Sequence, residues 1–134
     1  MNVMVCVTIQ RTCKRLIHKA KQLLNENGGQ LYVVHVAAKG TAWLGANSDA
    51  EALDFLYTTA RDNGAEMSIL RSADTVKTLI KFINQHKITD VVMGEAAPGQ
   101  PNIVYEGLYK RFPSVNYHIV PVSGYEPEEK GAYK

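Results

Sequence analysis

Apolar residues recur along this chain in two rhythms that take turns. Short continuous runs at 3–7, 31–38 and 90–93 (VMVCV, LYVVHVAA and DVVM) are the mark of strands covered on both faces. Between them the spacing changes to steps of three and four. Leu16, Ile17, Ala20, Leu23 and Leu24 predict a helix opening at Thr12 and ending at Gly28-Gly29. Ala52, Leu53, Leu56, Tyr57 and Ala60 predict a second helix, capped by Ser48 or Asp49 and closed at Gly64. A third short strand is expected at 66–70. Asp74 then caps a helix with Val76, Leu79, Ile80 and Ile83 inward, ending near His86. Ile103, Val104, Leu108 and Phe112 predict a last short helix, entered at about Asn102 and stopped by Pro113. A fifth strand is expected at 117–122, and Pro121, which cannot donate to a ladder, assigns it to a sheet edge.

Five strands alternating with four helices predict one α/β domain. It is a doubly wound, open, parallel five-stranded sheet with helices on both faces and right-handed crossovers. The domain is expected over 1–122, with a flexible C-terminal tail over 123–134 that lacks periodicity. In such sheets ligands bind outside the carboxyl ends of the strands, where the strand order reverses. The loops after Val7, Val36 and Met93 are therefore where function is expected. The stretch 90–107, DVVMGEAAPGQPNIVYEG, is the most telling of them: a buried strand stops at Gly94 and feeds a helix through a Gly/Pro/Ala-rich loop. A glycine there lets backbone and ligand approach, and a helix N-terminus offers N–H groups to an anion.

Composition adds limits. The 134 residues are 46% hydrophobic and 21% charged with a net charge of +2, an ordinary globular balance. That charge supports neither a nucleic-acid nor a membrane partner. Cys6 and Cys13 make neither a disulfide framework nor a CxxC pair, and no apolar run reaches the roughly 18 residues of a membrane span. A cytoplasmic protein with reduced thiols is expected. His18, His35, His86 and His118 share no metal-ligand spacing, and no nucleophile triad, Walker A or dinucleotide fingerprint is present, so no catalytic constellation is expected.

The first-strand segment, the helix opening RTCKRLI, the strand LYVVHV and the strand DVVMG together resemble the universal stress proteins over 2–122. The RLI and LYVVHV wording resembles the universal-stress domain of KdpD-type sensor histidine kinases in particular. The resemblance implies a sheet ordered 3-2-1-4-5. ATP-binding members carry G-x2-G-x9-G-[S/T] after strand 4. Its outer glycines fall on Gly94 and Gly107, its middle glycine on Ala97 and its hydroxyl residue on Leu108. The family's ribose-binding aspartate falls on Thr8, and the positions flanking adenine fall on Val36 and Met93. The adenine end is thus kept, while the ribose and triphosphate end departs at three positions.

Two side chains join this candidate set from the residues themselves. Arg11, near a helix start, is either a phosphate contact or part of a solvated basic face. Trp43, in a Gly-containing loop, either stacks on a base or anchors the loop. His35 reads as a buried, hydrogen-bonded histidine beside the pocket, and Cys6 as an inert core thiol. The expected function is a nucleotide-sensing binding module for ATP, AMP or cyclic di-AMP, a ligand of some KdpD-type domains. The paired serines of those domains stand here as Thr8 and Gln10. The alternative is a dimeric interaction protein with an unknown partner, a homodimer joined through the edge strand 117–122.

Overall fold

The structure, a computed structural model, describes residues 1–7, 13–37, 46–95, 99 and 101–121. In chain order it contains β1 (Asn2–Cys6), α1 (Cys13–Asn27), β2 (Gln30–Ala37), α2 (Ala46–Asp62), β3 (Glu66–Arg71), α3 (Thr75–His86), β4 (Asp90–Gly94), α4 (Ile103–Arg111) and β5 (Asn116–Val120). The strands form a single sheet ordered β3-β2-β1-β4-β5, with every pair parallel. Both the α/β class and the strand order are those expected from the sequence.

The continuous apolar runs follow from burial on both faces. Val3, Val5, Val33 and Val92 pack with Leu16, Ile17, Ala20 and Leu24 of α1 and Leu56 and Ala60 of α2. Met4, Val34, Val91 and Met93 point the other way, onto Leu79, Phe82 and Ile83 of α3 and Leu108 of α4. Successive residues of a strand serve opposite layers, so neither parity can be polar. Because α1 and α2 cover one face and α3 and α4 the other, the sheet is wound outward from its middle in both directions. The reversal falls between β1 and β4.

Local chemistry sets several element ends. Asp74 caps α3 by accepting from the Lys77 N–H at 3.0 Å, and Asn102 caps α4 by accepting from that of Tyr105 at 3.1 Å. Gly29 has φ +131, and a Cβ there would overlap the carbonyl of Met1, so only glycine fits where β2 begins beside the N-terminus. The end of α3 departs from habit: its C-cap is Lys87 at φ 51, a left-handed position more often held by glycine. β5 differs from expectation. It ends at Val120, so Pro121 lies just past the strand and leaves no gap in its ladder. Segment 122–134, which includes the tail expected over 123–134, lies outside the described residues. No helix among them is long and apolar enough to cross a membrane.

Candidate functional site

The strand-order reversal brings the carboxyl ends of β1 and β4 side by side, with Cys6 opposite Met93. From there α1 leaves on one face of the sheet and the chain through α4 on the other. In open α/β sheets ligand crevices form at such a divergence, because the two crossovers leave on opposite faces.

On the β1 side, Val7 extends the ladder by one bond, donating its N–H to the Val34 carbonyl at 3.0 Å. The His35 ring nitrogen Nδ1 lies 2.8 Å from the Val7 carbonyl. A carbonyl can only accept, so Nδ1 carries the hydrogen and donates it. His35 is half-buried and hydrogen-bonded, as the sequence suggests. Val36, one residue on, is also half-buried, and Met93 is 4% exposed, most of its side chain belonging to the core above α3. Both expected adenine-flanking residues therefore stand at the ends of strands that bracket β1.

On the β4 side the strand closes at Gly94, and Glu95 N–H then bonds the Val120 carbonyl at 3.0 Å, tying β4 to β5. Among the described residues, a Cβ built on Gly94 would meet nothing nearer than Leu16 Cδ1 at 4.0 Å, an ordinary contact, and its φ is not in the left-handed range. Neither packing among the described residues nor backbone conformation calls for glycine at this position.

Gly107 is different. It lies inside α4, and a Cβ there would come within 2.7 Å of Val76 Cγ1 and 3.2 Å of Val76 Cγ2 on α3. Glycine here lets two helices approach. Leu108, the next residue, is 0% exposed in the core below α4. The helix starts five residues earlier, at Ile103 behind the Asn102 cap. Counting residues along the ATP motif thus puts its last two positions in the middle of a helix rather than at its N-terminus. Gly107 and Leu108, expected among the ligand contacts, therefore stand in the packing of α4 against α3 and the sheet. Thr8, Arg11, Trp43 and Ala97 lie outside the described residues.

A polar network that the sequence did not announce sits at the opposite, amino ends of the strands. Asp90, buried at the start of β4, accepts from Nε2 of His118 on β5 at 3.0 Å and from the Thr89 hydroxyl at 2.7 Å. Asn2 joins in, its amide donating to the His86 carbonyl at 3.0 Å and its backbone N–H to the Thr89 hydroxyl at 3.1 Å. An aspartate opening a wholly buried strand was the available signal, because a buried carboxylate must be answered. This network faces away from the crevice and ties strands together. Burial pushes the Cys6 thiol up to about 12, which makes it a packing residue and no nucleophile at neutral pH.

No family model matches the chain, and no curated protein does. Solved structures do match. A universal stress protein from Archaeoglobus fulgidus superimposes with TM-score 0.64 at 19% identity, over 90% of this chain and 92% of that one. A universal stress protein in complex with cAMP gives 0.63 at 15% identity, over 90% and 95%. The Archaeoglobus fulgidus protein in complex with dAMP gives 0.57 at 18% identity, over 90% and 96%. Identities this low establish the fold alone. The chain has the α/β fold of the universal stress proteins.

Proposed function

We propose that this protein is a small cytoplasmic binding module that holds an adenine nucleotide where β1 and β4 separate, and that it senses the ligand rather than transforms it. The observation that carries the reading is Gly94, a glycine at the carboxyl end of the switch-point strand that its described neighbours do not require. A ligand approaching the backbone is a physical reason for it. Val36 and Met93 supply apolar contact beside it, and the cAMP and dAMP complexes of proteins sharing the fold support an adenine nucleotide.

Gly107 and Leu108 are taken up by the packing of α4 on α3 and the sheet, which supports a ligand with fewer phosphates. The reading therefore favours AMP or a cyclic nucleotide over MgATP. The KdpD-like wording of LYVVHV supports cyclic di-AMP as a further arm of the same test. Thr8, Arg11, Trp43 and Ala97 remain the proposed contacts from the neighbouring loops.

Thermal unfolding with ATP, AMP, cAMP and cyclic di-AMP, each with and without magnesium, tests this reading. A ligand at about 100 times its Kd adds about 2.7 kcal/mol, a shift of a few degrees for a domain this size. A rise with AMP or a cyclic nucleotide supports the proposal. A rise with MgATP alone would reassign the site to a triphosphate, and no rise with any of them would overturn it.

A second reading, a dimeric interaction protein, is favoured by the edge formed by α4 and β5. Ile103, Tyr109 and Ile119 are 67%, 49% and 38% exposed there, beside β5, which is an edge strand of the sheet among the described residues. Two copies paired through β5 would remove that exposed edge. Light scattering showing a monomer at micromolar concentration would exclude this reading.

A further inference from the structure

We infer that His35 is a positioning residue for this site, holding the end of β1 where the nucleotide meets it; the inference rests on the adenine-nucleotide reading above. Cys6 pairs with Met93, so the next residue, Val7, stands level with Gly94 across the β1/β4 divergence. The peptide leaving Val7 is thus the β1 wall of the crevice that Gly94 borders from β4. The chain here is gripped twice from β2. The Val7 N–H, in the peptide before it, is taken by the Val34 carbonyl at 3.0 Å, and the Val7 carbonyl receives the His35 Nδ1–H at 2.8 Å, so β2 holds the peptides on both sides of Val7. Val7 itself is buried, so an unanswered carbonyl there would be costly, and a rotation that exposed it would move the end of β1 away from Gly94.

The chemistry suggests which substitutions separate the donor from the bulk. In asparagine the amide nitrogen is bonded to Cγ, as Nδ1 is in histidine, so His35→Asn keeps a donor at nearly the same point. His35→Phe keeps a ring of similar size and removes the donor. His35→Leu is a second donor-free variant, for use should the phenylalanine fail to fold.

The test is calorimetric titration of wild type and variants with the nucleotide that stabilises wild type, well below every unfolding midpoint, together with hydrogen exchange at the Val7 amide. Loss of the donor is expected to weaken binding about tenfold and to speed exchange at Val7. His35→Asn is expected to stay within about threefold of wild type on the same reasoning. A merely structural histidine would lower the unfolding midpoint in all variants without this split. Donor-free variants that bind like wild type, or an asparagine variant that loses as much as they do, would overturn the positioning role alone. A wild-type protein that binds no nucleotide would overturn the adenine reading and this inference with it.

Discussion

Gly94 and Gly107 come from one motif on paper, yet they stand in regions with opposite demands. At Gly107 the fold needs glycine, because α4 crosses α3 so closely that a methyl group would collide with the stiff side chain of Val76. At Gly94 the described body of the protein leaves room for a methyl group. The helix seam is specified by packing. At the strand end the described neighbours leave the residue type open, so it is there that the proposed ligand contact can be tested. A glycine is informative about function only after its structural reasons have been examined and found absent.

The comparison can be broken most forcefully at its packed side. Leu108→Ala should cost about 2–5 kcal/mol of stability, since the side chain is wholly buried and its removal leaves a cavity. Denaturant unfolding would show it. Gly107→Ala should come next, destabilising by about 1–3 kcal/mol through overpacking against Val76, despite alanine's better helix propensity. Val76→Ala in the same chain should recover part of that loss by making room. The double variant should bind nucleotide as wild type does; if its affinity fell sharply while its stability recovered, Gly107 would belong to the site after all. Gly94→Ala should reverse the pattern. Its stability should stay within about 0.5 kcal/mol of wild type, as for a substitution away from packed features, while nucleotide affinity falls by about tenfold as the methyl meets the ligand.

A last effect, confined to alkaline pH, is expected where β5 packs on α4. Burial pushes the Tyr117 phenol up to about 12 from its ordinary 10.0, with Tyr105, Cys6 and Tyr109 adding to the shift. The folded state thus holds this proton more tightly than the unfolded chain does. The resulting stability is present in full below pH 10.0 and is lost as pH rises toward about 12. Tyr117→Phe should flatten that part of the stability profile, though it also removes the bond from the Tyr117 hydroxyl to the Phe112 carbonyl at 2.9 Å. An equally steep alkaline loss in the variant would assign it to other groups.

Much of the fold was legible in the sequence because each strand carries its own explanation. In VMVC and DVVM both parities are apolar, which only a strand covered on two faces requires. Asp74 and the Gly28-Gly29 pair marked a helix start and a helix end by their chemistry. What escaped was whatever depends on partners distant in sequence. Nothing local says that Asp90 meets His118, or that a side chain from β2 holds Val7. Lys87 in the left-handed conformation is likewise set by the turn into β4 rather than by its own preference. At the candidate site, the strand-end positions of Val36, Met93 and Gly94 were legible from topology. The helix behind them was legible too, entered at Asn102 as expected, but the meeting of Gly107 with Val76 depends on a partner distant in sequence and was not.

The most direct test is a titration of isotope-labelled protein with AMP, followed by amide chemical shifts. The account predicts progressive changes at Val7, Val36, Met93 and Gly94, with Asn2, Thr89, Asp90 and His118 at the opposite, amino ends of the strands unmoved. Changes centred on Gly107 and the α3/α4 seam, or none anywhere at millimolar AMP, would contradict it.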